Sequence, residues 1–148
     1  MYEHILVALD GSDLAERVLP YVTALAEKFG AKVTLTRAAW AAEKVDEGNI
    51  SPEGESTSYT DGNDLAAARA YLSATASDLL RKGIAVEYGE AQGVAQDVIV
   101  DQARRRGADL IAMTTHGRSG VARMFYGSVA EEVLRRAPCP VLLVRVDE

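Results

Sequence analysis

Apolar positions fall into two rhythms along this chain, and the rhythms alternate. Ile5–Leu9 (ILVAL) is a continuous run of the kind a strand covered on both faces shows, and it stops at the turn-forming Asp10-Gly11-Ser12. Leu14, Val18, Val22, Leu25 and Phe29 then recur at helical spacing. Asp13 and Glu16 stand at capping-box spacing, and Gly30 is placed to end the helix. The β-branched run Lys32–Ala39 predicts a second strand. From Ala41 to Asn63 the periodicity fails among glycines, serines and acids, which predicts a long loop, either a lid or a disordered segment. Helical spacing resumes over Asp64–Lys82 and ends at Gly83. A third strand is expected at Ile84–Tyr88, a helix at Gly93–Arg106, a fourth strand at Asp109–Thr115, a helix at Ser128–Arg136 and a fifth strand at Val141–Val146.

Strict alternation of strand and helix implies α/β architecture. Each parallel crossover needs a helix and has a fixed hand, so the expected fold is an open five-stranded parallel sheet with helices on both faces. The 148 residues fit one domain. In such sheets ligands bind beyond the carboxyl ends of the strands. Asp10, the residues near Ala38 and the loop after Thr115 all fall at such ends and converge on one edge.

The stretch from Met113 to Ser128 (MTTHGRSGVARMFYGS) carries the chemistry. It joins a buried-strand pattern to a helix start, where unpaired N–H groups and the helix dipole favour anions, so a phosphorylated small molecule is the expected ligand. Gly127 permits close approach of backbone to phosphate. Ser128 and Glu131 form S-x-x-E, which makes the Ser128 hydroxyl a cap and leaves the backbone N–H groups for binding. Gly117 and Gly120 let the loop curve, while His116, Arg118 and Arg123 can complement negative charge. Asp10 either accepts from a nucleotide's sugar or base or only holds its turn. The lysine-bearing phosphate loop, the G-x-G-x-x-G fingerprint, metal-ligand spacings and hydrolase elbows do not occur in the sequence.

Composition narrows the partners. A net charge of −6 argues against nucleic acid, and the basic run Arg104–Arg106 reads as the end of a helix before Gly107. No apolar run approaches the ~20 residues of a membrane helix, and the start lacks a secretory pattern, so a cytoplasmic protein is expected. Cys139, the one cysteine, sits between two prolines and reads as a structural thiol. His4, Trp40 and the tyrosines show no motif and read as packing or surface residues.

From VALDGS at Val7–Ser12 to PCPVLLVR at Pro138–Arg145, the sequence resembles the universal stress protein family. The family signature G-x2-G-x9-G-[ST] reads here T-x2-G-x9-G-S, with Thr114 in the first glycine's place, then Gly117, Gly127 and Ser128. The resemblance implies a Rossmann-like, adenine nucleotide alpha hydrolase-like fold and a stress-response module that binds ATP, with Mg or Mn as the ion that accompanies the phosphates in such members. It implies adenine and ribose contacts at Ala8, Asp10 and Ala38, and phosphate contacts at Met113, Thr114, His116, Gly117, Gly127, Ser128 and Val129. It also implies a homodimer through the last strand, which suits an apolar edge that otherwise invites aggregation. Nucleotide-regulated interaction with partners is the leading function. A dimeric interaction protein that binds no nucleotide and a slow ATPase are the alternatives, the latter without an evident general base.

Overall fold

A computed structural model describes residues 1–39, 62–115 and 128–146. Its strands are β1 (His4–Leu9), β2 (Lys32–Ala39), β3 (Val86–Gln92), β4 (Leu110–Thr114) and β5 (Val141–Val144). All pair in parallel, in the order β3-β2-β1-β4-β5. The chain therefore builds outward from β1 to β3 on one side and then crosses back to lay β4 and β5 on the other. This is the open five-stranded α/β sheet that the alternation predicts.

Two apolar layers cover the sheet because successive strand residues point to opposite faces. Val7 and Leu35 pack with Val22 of α2 (Leu19–Phe29) and with Leu72 and Leu79 of α3 (Gly62–Arg81). Leu6 and Ile111 pack with Ile99 and Ala103 of α4 (Ala95–Arg106) and with Val133 of α5 (Ser128–Arg136). The run Arg104–Arg106 does close α4, with Gly107 at φ 65° as its left-handed C-cap.

Four local expectations need correction, and β5 also ends at Val144, two residues short of the expected Val146. The helix expected from Leu14 to Phe29 is two helices, α1 (Asp13–Glu16) and α2, because Pro20 has no N–H to give the Glu16 carbonyl. The chain bridges the gap with tighter bonds from Arg17 N–H to Leu14 and from Val18 N–H to Ala15. The N-cap is Ser12, whose Oγ accepts from Ala15 N–H at 3.1 Å, so Asp13 is not the capping residue.

The third strand begins two residues after Ile84 and runs to Gln92. Ile84 instead donates back to Leu79 and seals the end of α3. Gly89 is inside β3, paired with Thr36 of β2, and Arg106 crosses it: a Cβ there would stand 2.7 Å from Arg106 Nη2. The loop expected from Ala41 to Asn63 gives up Gly62 and Asn63 to α3. Its remainder, with Trp40, lies outside the described residues.

Candidate functional site

The pairing of β1 with neighbouring strands is lopsided at its carboxyl end. With β2 it holds through Leu9–Arg37, the last residue of β1. With β4 it stops at Val7–Ala112, although β1 runs to Leu9 and β4 to Thr114, where β4 is still paired with Val144 of β5. The sheet is thus split at its carboxyl edge between β1 and β4, which is also where the strand order reverses. That is where a doubly wound sheet offers a ligand a crevice.

Ala8 and Met113 are the next residues beyond the last β1–β4 pair. Both lie on the α4–α5 face, Met113 buried and Ala8 half-buried, and Val129 in the first turn of α5 packs into the same layer. Three of the residues expected at the site therefore share one face of the sheet. Asp10 follows β1 directly. Its Oδ1 accepts from Ser12 N–H at 2.8 Å, so the turn-holding role is real. Ala38, near the end of β2, is one strand further over and half-buried.

Thr114 differs from its neighbours. Strand alternation directs it to the opposite face from Met113, the face of Ala112 and of its partner Val144, and it is only 6% exposed. Thr115 returns to the Met113 face. Its N–H donates to the Val144 carbonyl at 3.0 Å, and its Oγ is buried with no hydrogen-bond partner among the described residues. An unmet buried hydroxyl costs about 1–3 kcal/mol.

His116, Gly117, Gly120, Gly127, Arg118 and Arg123 lie outside the described residues. Ser128 opens α5 as expected, while its side-chain cap also lies outside them. Glu131 bonds forward to Arg135 at 3.2 Å.

The opposite, amino edge holds a polar cluster with no sequence motif. His4 is buried, its Nδ1 3.1 Å from the Arg106 carbonyl and its Nε2 2.6 Å from Thr34 Oγ1. Since a carbonyl only accepts, Nδ1 carries the proton and Nε2 accepts from the Thr34 hydroxyl. Burial, reinforced by the nearby Lys32 charge, lowers the pKa of this histidine. Burial likewise pushes the Cys139 thiol up, which suits the structural role expected of it. Among the described residues no group of three or more His, Cys, Asp or Glu side chains is arranged to hold a metal, and no helix is long and apolar enough to cross a membrane.

Sheet order, two-sided helical cover and a crevice at the strand switch define a Rossmann-like α/β protein. The model of the universal stress protein family matches residues 1–145, and the chain belongs to that family. It is similar to a universal stress protein of Thermus aquaticus, with 32% identity over 145 residues that cover 98% of this chain and all of the relative. Among solved structures, a universal stress protein in complex with cAMP superposes with a TM-score of 0.69 at 27% identity, covering 97% of each chain. The universal stress protein from Archaeoglobus fulgidus in complex with dAMP also gives 0.69, at 25% identity, covering 96% of this chain and 97% of that one.

Proposed function

We propose that the protein is a one-domain nucleotide-binding stress-response module whose ligand is ATP, held in the crevice between β1 and β4. The observation that carries this reading is the early end of β1–β4 pairing at Val7–Ala112, with Ala8 and Met113 placed at the opening. The related structures in complex with cAMP and dAMP support an adenine nucleotide as the class. In this reading Ala8, Asp10 and Ala38 take the base and sugar. The phosphates lie along the glycine loop, at Met113, Thr114, His116, Gly117, Gly127, Ser128 and Val129, where the start of α5 favours negative charge.

Thr114 is compatible with binding because its side chain is spent on the opposite layer and does not fill the crevice. Mg or Mn would reach the site on the phosphates, Asp10 being the carboxylate that directly follows β1. A cytoplasmic location follows from the need for ATP. Among the described residues β5 is an edge strand and could pair with a second copy, which makes a homodimer the proposed assembly, and occupancy of the crevice would alter the surface offered to partners.

Mapping the backbone amides by NMR during an ATP titration tests the site. Shifts concentrated at Leu9–Gly11, Ala38 and Met113–Thr115 are expected. Shifts confined to the amino edge, around His4 and Asp109, would refute the assignment.

A further inference from the structure

Arg37 occupies an inward-facing register position of β2, next to Leu9 of β1 and on the face of Val33 and Leu35. A cation there is unexpected in a strand that otherwise feeds the apolar layer. Its guanidinium carbon lies over the Tyr71 ring of α3, 5.2 Å from the centroid. Gly11 approaches the guanidinium as well: a Cβ on Gly11 would stand 2.8 Å from Nη1, 2.9 Å from Cζ and 3.2 Å from Nη2. Near-equal distances to all three atoms put Gly11 over the face of the group rather than at its N–H edge. Gly11 is also at φ 87°, where a side chain is strained, so glycine serves both the turn and the close approach.

The carboxylates around this group are engaged elsewhere. Glu16 accepts from the Tyr71 hydroxyl at 3.0 Å, Glu90, the β3 partner of Arg37, is 3.9 Å from Arg69, and Asp10, next to Gly11, accepts from Ser12 N–H through Oδ1 at 2.8 Å. Among the described residues no carboxylate is within ion-pair distance of Arg37. A half-buried guanidinium braced on its faces, with its donor edge unspent, is a rigid fork for a phosphate or carboxylate. It stands beside the Asp10-Gly11 turn at the carboxyl edge of the sheet, on the α2–α3 side and one residue before Ala38.

We propose that Arg37 selects phosphorylated over unphosphorylated nucleosides by donating to the phosphate linked directly to the sugar. The inference rests on the nucleotide-binding reading given above and adds to it a residue outside the family signature. Tyr71 and Gly11 act on it as positioning residues: the ring and the bare backbone fix the plane of the fork.

Binding of AMP and of adenosine to the full chain, measured for wild type, Arg37→Gln and Arg37→Lys, separates the possibilities. Loss of a charged hydrogen bond should weaken AMP roughly tenfold or more in Arg37→Gln, leave adenosine within about twofold, and be partly restored in Arg37→Lys. Unchanged AMP affinity in Arg37→Gln overturns the inference while leaving the nucleotide site standing. Parallel loss of AMP and adenosine also overturns it, because Arg37 would then only support the turn. Failure of the wild type to bind any adenine nucleotide removes the proposed function itself.

Discussion

Thr114 shows how a single register position decides the meaning of a substitution. In the sequence it stands where the family signature has glycine, in the stretch proposed to bind phosphate, and it looks like an obstruction. In the strand it is 6% exposed and turned into the layer of Ala112 and Val144, away from Ala8 and Met113. Thr114→Gly should therefore leave ATP affinity within about threefold and lower stability by roughly 1–3 kcal/mol, the range for emptying a small buried site. Calorimetry paired with urea unfolding checks both; a tenfold gain in affinity would show that the threonine does obstruct.

His4 makes a second prediction at this scale. Its pKa is lowered in the folded state, so the native protein binds fewer protons there than the unfolded chain does. The stability it contributes is complete above the unfolded histidine value of about 6.5 and declines as pH falls through that value toward the lower folded one. Lys32, Arg106, Glu87 and Asp109 are the charged groups around it. His4→Gln, having no proton to take up, should show a flatter urea midpoint between pH 7 and pH 5 than the wild type, from a lower starting value. Identical slopes would contradict the assigned tautomer and burial.

At the scale of elements, the turn after β1 joins local capping to the site. Asp10 holds Ser12 N–H, and Ser12 caps α1, so one four-residue stretch both ends the strand and starts the helix. Ser12→Ala should cost about 1 kcal/mol in chemical denaturation, the usual worth of an N-cap; no change in the midpoint would mean the cap is not formed in solution. Element types were legible in the sequence throughout, because the apolar rhythms of β1, β2, β4 and α5 are set by burial on the sheet. The ends were less so. The split of α1 from α2 turns on one missing N–H at Pro20, while β3 extends through Gly89 because its ladder with β2 continues to Gln92. Arg37 was invisible as well. Nothing in the run KVTLTRAA tells that Gly11 and Tyr71 will close on its guanidinium.

Across the whole molecule, the strand order gives β1 and β4 a shared crevice and leaves β5 at an edge. The backbone bonds from Ile111 N–H to Pro140 and from Thr115 N–H to Val144 turn even-numbered β5 residues toward β4, so Val141 and Leu143 offer their N–H and C=O groups outward. Leu143→Pro removes one outward donor and no donor to β4. It should convert the proposed dimer to monomer in sedimentation while far-UV circular dichroism is kept; a variant that remains dimeric would place the interface elsewhere.

The crevice itself is the central claim, and a calorimetric titration of nucleotide-free protein with ATP and magnesium tests it most directly. Saturable heat at one nucleotide per chain is expected, abolished in Gly127→Val, where a branched side chain blocks approach of phosphate to the backbone. No heat at millimolar ATP, or undiminished binding in Gly127→Val, would contradict it.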